Sequence, residues 1–108
     1  MNVMRKPADS ASRTHSDVAY LQTLKASGIF VPVSGQTSAV LLGRAIVHGV
    51  AARPTDVGVA GVVALGLENG FSIHETKSYI VGAVTAYRPD LLPVVRHHYG
   101  DISPPSVS

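Results

Sequence analysis

Asp56-Val57-Gly58-Val59-Ala60-Gly61-Val62-Val63-Ala64-Leu65-Gly66-Leu67-Glu68 is the stretch on which the fold turns. Its valines and glycines would suit a buried strand. Each internal glycine also costs a helix about 1 kcal/mol relative to alanine. Three features favour a helix nonetheless. Thr55 is placed to cap it, and Asp56 suits the positive end of a helix dipole. Thirteen residues are long for a strand. The segments on both sides read as helices, so a helix here makes the whole chain all-α. Small residues at Gly58, Gly61 and Ala60 or Ala64 would let another helix approach closely. Asn69-Gly70 ends the segment.

Downstream, Ser72-Ile73-His74-Glu75 is a capping box, in which Ser and Glu each satisfy the other's backbone N–H. It opens a helix over Ile73 to Tyr87, with Ile73, Ile80, Ala83 or Val84 and Tyr87 on one face. Pro89 stops that pattern. Asp90 to Tyr99 is expected to add a short turn or helix around Leu91, Leu92, Val94 and Val95. Upstream, Gln36 to Ala51 is apolar almost all round, as a mostly buried helix is, with Arg44 and His48 as its polar edge. Ala52-Arg53-Pro54 breaks it. The first helix is expected from Asp17, with Ser16 as N-cap and Asp17 serving the dipole. Gly28 would end it in the left-handed conformation and fold Ile29 back onto it. The expected fold is a small all-α bundle of four to five helices. Residues 1–15 would form a flexible arm, 16–100 the helical domain and 101–108 a disordered tail.

Composition narrows the function. The chain has 108 residues, enough for one domain. Hydrophobic residues make up 45% and charged residues 15%, too apolar for a disordered chain. Val57 to Leu67 has no charge, but its eleven residues fall short of the roughly 20 needed to span a membrane. With no cysteine there is no disulfide, thiolate metal site or thiol nucleophile. The net charge of +2 comes from scattered Lys and Arg, without the basic patch and interleaved aromatics of a nucleic-acid binder. Met1 to Ser16 is polar and lacks the apolar core of a secretory signal, so a cytoplasmic location is expected for a chain that is full length.

The order of features resembles the small actinobacterial, mostly mycobacterial, family called domain of unknown function 732. The residues that carry the resemblance are Asp17-Val18-Ala19-Tyr20-Leu21 with Leu24 and Gly28-Ile29, Gly43-Arg44-Ala45-Ile46-Val47, Tyr79-Ile80-Val81 with Ala83, and Ala86-Tyr87-Arg88-Pro89. The resemblance implies a signal peptide and two cysteines that pair between the second and last helices, near Val47 or His48 and at Arg88. No cysteine is present, and Met1 to Ser16 is not expected to act as a signal peptide. We therefore expect a divergent, non-secreted relative, an accessory protein of a phage or mobile element of such a host. The family carries no assigned activity, so the resemblance adds fold and little mechanism.

Candidate sites are few. His97-His98-Tyr99 reads as a solvated tail and His74 as an exposed residue of a first helical turn. His48 could ligate haem iron with Tyr20, Tyr79 or Tyr87 as second ligand, between the second and fourth helices. Against this, Tyr20 and Tyr87 read as packing residues that close opposite ends of the core with their hydroxyls toward water. Arg88 reads as a cap for helix carbonyls or a partner of Asp90. Catalytic motifs are missing: there is no His-Glu-x-x-His, no Gly-x-Ser-x-Gly, and no phosphate loop around Gly58, Gly61 and Gly66. The sequence leads us to expect a non-enzymatic interaction protein without cofactor or metal. It would self-associate or bind a protein partner through Val57, Gly58, Gly61, Val62 and Leu65. The alternative is a carrier of haem or another apolar small ligand.

Overall fold

The computed structural model describes residues 14–100. Five α-helices occupy this span, with no strand among the described residues: α1 (His15–Ala26), α2 (Gln36–Ala52), α3 (Asp56–Glu68), α4 (Ile73–Tyr87) and α5 (Leu92–Tyr99). Single 3-10 turns at Val33–Gly35 and Pro89–Leu91 lead into α2 and α5. The contested stretch is thus helical. The expected arm and tail lie largely outside the described residues, although α1 already includes His15. No helix among the described residues is long and apolar enough to cross a membrane.

Local chemistry explains most of the helix ends. Ser72 Oγ accepts from Glu75 N at 3.0 Å and Glu75 Oε1 accepts from Ser72 N at 2.8 Å, closing the expected capping box. Gly28 and Gly70 take φ of +87° and +90°. These left-handed turns let Ile29 N donate to Leu24 O at 2.9 Å and Phe71 N to Gly66 O at 3.1 Å. Each turn folds the next apolar residue back over its helix.

α4 is the axial helix, packed on α1, α2, α3 and α5. Ile80, Ala83 and Val84 are fully buried on it, against Tyr20 and Leu24 of α1, Val50 of α2, Val59 of α3 and Val95 of α5.

Several expectations need correcting. The cap of α1 is Thr14, not Ser16: Thr14 Oγ1 accepts from Asp17 N at 3.1 Å, and Asp17 Oδ2 accepts from Thr14 N at 3.0 Å. Asp17 does the work of a capping-box Glu with a shorter side chain. Thr55 occupies the cap position of α3 but makes no side-chain cap bond. Ile73 shares the α4 face with Ile80 yet lies in the first turn, where it is 74% exposed. α2 is less enclosed than its composition suggests, with Leu41, Ala45, Arg44 and His48 all exposed. Tyr20 and Tyr87 do not close opposite ends of the core. Their rings pack together, with centroids 5.5 Å apart, and Tyr20 is fully buried. Nor is His97-His98-Tyr99 a solvated tail. It completes α5, where His98 Nδ1 lies 2.7 Å from Asp56 Oδ1 at the start of α3.

Candidate binding site

Two features stand out, a polar cluster at one end of α1 and an apolar groove beside α3. In the cluster, Asp17 is buried and its carboxylate is fully engaged. Oδ2 takes Arg44 Nη2 at 2.6 Å as well as the Thr14 amide, and Oδ1 takes the Tyr87 hydroxyl at 2.5 Å. Burial disfavours the charged form of Asp17. The hydrogen bonds from Tyr87, Thr14 and Arg44 outweigh burial and hold the carboxyl below its ordinary pKa. Burial and then the Asp17 charge push the Tyr87 phenol up. Both oxygens of this carboxylate are occupied by the protein itself, which makes the cluster a clasp joining α1, α2 and α4. It leaves Asp17 no free oxygen for acid–base chemistry.

Beside the clasp, the Tyr20 ring lies on Gly43. A Cβ there would sit 2.6 Å from Tyr20 Cζ, closer than real atoms approach. Only glycine leaves room for the ring. The Tyr20 hydroxyl is buried without a protein partner among the described residues, and burial, followed by the nearby Tyr79 and Tyr87, raises its pKa.

The groove has a volume of about 470 Å³ and lies between α2, α3 and α4. Leu42, Ala45, Ile46 and Gly49 line it from α2, Val62, Leu65 and Gly66 from α3, and Thr76, Tyr79 and Ile80 from α4, with Asn69 and Phe71 closing it from the connecting turn. Two glycines set its shape. A Cβ on Gly49 would come within 3.1 Å of Val62, and one on Gly66 within 2.8 Å of Thr76. The helices meet closely at these points. Gly70 turns Phe71 back so that its ring meets Tyr79, with centroids 5.2 Å apart. None of the lining side chains is charged at neutral pH. Burial, and after it the charge of Glu75, raises the Tyr79 pKa.

The expected contact residues separate into two groups. Val57, Gly61 and Leu65 are exposed, and Leu65 also borders the groove. Val62 turns toward α2. Gly58 is buried, and a Cβ on it would collide with the Arg53 carbonyl oxygen, so it accommodates the preceding loop rather than another helix. The exposed stripe of α3 is therefore Val57, Ala60, Gly61 and Ala64, joined at its edge by Leu67.

Of the residues of the haem alternative, the structure brings His48 and Tyr87 to one cleft and leaves Tyr20 and Tyr79 elsewhere. His48 borders a shallow cleft of about 300 Å³ with Arg44, Val47, Ala51, Tyr87 and Arg88. Tyr20 is enclosed and Tyr79 lines the groove instead. Arg88 holds Asp90 through two hydrogen bonds, at 3.0 and 2.9 Å. Among the described residues no three His, Asp or Glu side chains stand together as metal ligands. Sequence reasoning missed Ala45, Gly49, Phe71 and Thr76. The signal that could have pointed to them is the glycine inside each of two apolar helices, Gly49 and Gly66, since an unforced glycine there is disfavoured.

The family model described as "Protein of unknown function (DUF732)" matches residues 16–90. No curated protein and no solved structure matches the chain significantly.

Proposed function

The chain belongs to the DUF732 family, and for it we propose a non-enzymatic role as a helical interaction module that self-associates through α3. One observation carries this reading. Between Asp56 and Glu68 α3 has no charged residue, yet Gly58 and Val59 are its only buried positions. A helix so apolar is ordinarily an interior helix. Here Val57 and Leu65 are 63% and 58% exposed. Covering such a face with a second copy removes it from water at about 25 cal/mol per Å² of apolar surface. Ala60, Gly61 and Ala64 on the same stripe would let the partner backbone come close.

The test is light scattering coupled to size-exclusion chromatography over a series of protein concentrations, with Gly61→Arg as the diagnostic variant. A Cβ on Gly61 meets nothing within 4 Å, so the isolated chain accommodates the substitution. The wild type is expected to be dimeric or larger, and Gly61→Arg monomeric with unchanged helical circular dichroism. A wild type that stays monomeric at every concentration would overturn the proposal.

A further inference from the structure

We propose that the groove between α2, α3 and α4 is a binding site for an uncharged, ring-bearing apolar small molecule carrying a hydroxyl or carbonyl group. Its volume of about 470 Å³ falls inside the range of roughly 300–1,000 Å³ typical of small-molecule sites. The walls are helical, so the shape is held by packed elements rather than by loops. Leu42, Ile46, Val62 and Leu65 supply apolar surface from two sides.

Charge complementarity selects the class of occupant. With no charged side chain in the lining, an anion or cation entering would lose its hydration and find no partner. The polar groups narrow the choice further. The Thr76 hydroxyl already donates to Ser72 O at 2.8 Å, and the Asn69 amide nitrogen donates to Leu65 O at 2.7 Å. Tyr79 lines the groove, and its hydroxyl has no protein partner among the described residues. Tyr79 keeps a free O–H donor, and Asn69 keeps a second N–H and its amide oxygen, so a largely apolar lining offers a few uncharged hydrogen-bonding groups to a ligand oxygen. The Phe71–Tyr79 pair, tilted by 36°, offers ring faces and edges on which a flat ligand ring would pack.

The test uses 6-propionyl-2-dimethylaminonaphthalene, a neutral naphthyl ketone whose emission shifts to the blue and brightens in apolar surroundings. The full chain is expected to bind it saturably, one molecule per chain. Ala45 is exposed on the groove wall, so Ala45→Phe fills the site without crowding the core. It is expected to weaken binding by at least about tenfold with unchanged helical circular dichroism. Tyr79→Phe keeps the ring and removes the donor, and should cost about two- to tenfold. The anionic 1-anilinonaphthalene-8-sulfonate should bind far more weakly than the neutral probe. Absence of saturation, indifference to Ala45→Phe, or equal binding of the anion would each overturn the proposal. Repeating the titration in Gly61→Arg separates this site from the α3 contact. Retained binding in that variant supports a site within one chain. Binding lost together with oligomerisation would assign the groove to the second copy and overturn the small-molecule reading.

Discussion

The clasp end of the bundle and α3 use similar residues to opposite ends. Where α1, α2 and α4 meet, Tyr20 and Ile80 are fully enclosed, Gly43 is shaped around one ring, and Asp17 is matched to three donors. α3 is at least as apolar but leaves Val57, Leu65 and Leu67 exposed. Its Gly61 faces open space, whereas Gly43 faces an aromatic ring. Apolar composition therefore does not by itself say what a helix is for. In one region it is enclosed by specific partners and fixes the fold. In the other it is displayed, beside an apolar groove.

The most forceful way to break this contrast is Asp17→Ala. It removes the N-terminal bond of the capping box, worth about 1 kcal/mol. It also leaves the Tyr87 hydroxyl and Arg44 without their charged acceptor, at about 1.5–3 kcal/mol for a bond to a charged group. Arg44 is half exposed and recovers part of its loss from water. A fall of about 3 kcal/mol in urea unfolding is expected, with substitutions on the exposed α3 stripe showing nothing comparable. Acid reaches the same bond. The folded pKa of Asp17 lies below its unfolded value, so its contribution is complete above about pH 4 and is lost as the pH falls through the folded value. An Asp17→Asn variant should lack that portion of the acid sensitivity. If both proteins lose stability in parallel on acidification, the clasp is not what the acid attacks.

Gly43→Ala comes next. One methyl group at this position must displace the Tyr20 ring, and overpacking of this kind costs about 1–3 kcal/mol. The displacement should also reach Tyr87, whose ring packs on Tyr20, and therefore the clasp. Near-ultraviolet circular dichroism of the tyrosines would register it. An unchanged spectrum and stability would mean that the slot is looser than the contact distances imply.

Legibility in the sequence follows the range of the interaction. Gly28, Gly70 and the Ser72–Glu75 box act within a few residues, so their immediate neighbours are enough to reveal them. Asp17 reads as a dipole residue because its first-turn position looks the same whether or not it is buried. Its partners Arg44 and Tyr87 lie 27 and 70 residues away. The Thr14 cap is hidden by an equally plausible Ser16 two positions on. His98 carries no local sign of Asp56, 42 residues earlier. The groove is least legible of all, because it is a space between three helices rather than a pattern on one. The interaction stripe is half legible. Periodicity places Val57 and Gly61 on a common face, but only the path of the Arg53–Thr55 loop shows that Gly58 is occupied from within.

Gly61→Ala produces the smallest effect and the sharpest form of the comparison. It is the same chemical change as Gly43→Ala, made in the neighbouring helix, and the expected sign is reversed. The new methyl group meets nothing within 4 Å. The helix gains about 0.5–1 kcal/mol because alanine loses less backbone freedom than glycine on folding. That gain belongs to the single chain. If a second copy packs closely on Gly61, the added methyl group holds the two backbones apart and association weakens. Urea unfolding at low concentration should then show a more stable chain, while light scattering shows a less stable assembly. A stabilised chain with unaltered association would move the contact off the Gly61 stripe and toward Leu65 and the groove edge. A destabilised chain would mean that α3 is not an open face, and the distinction between the two regions would fail.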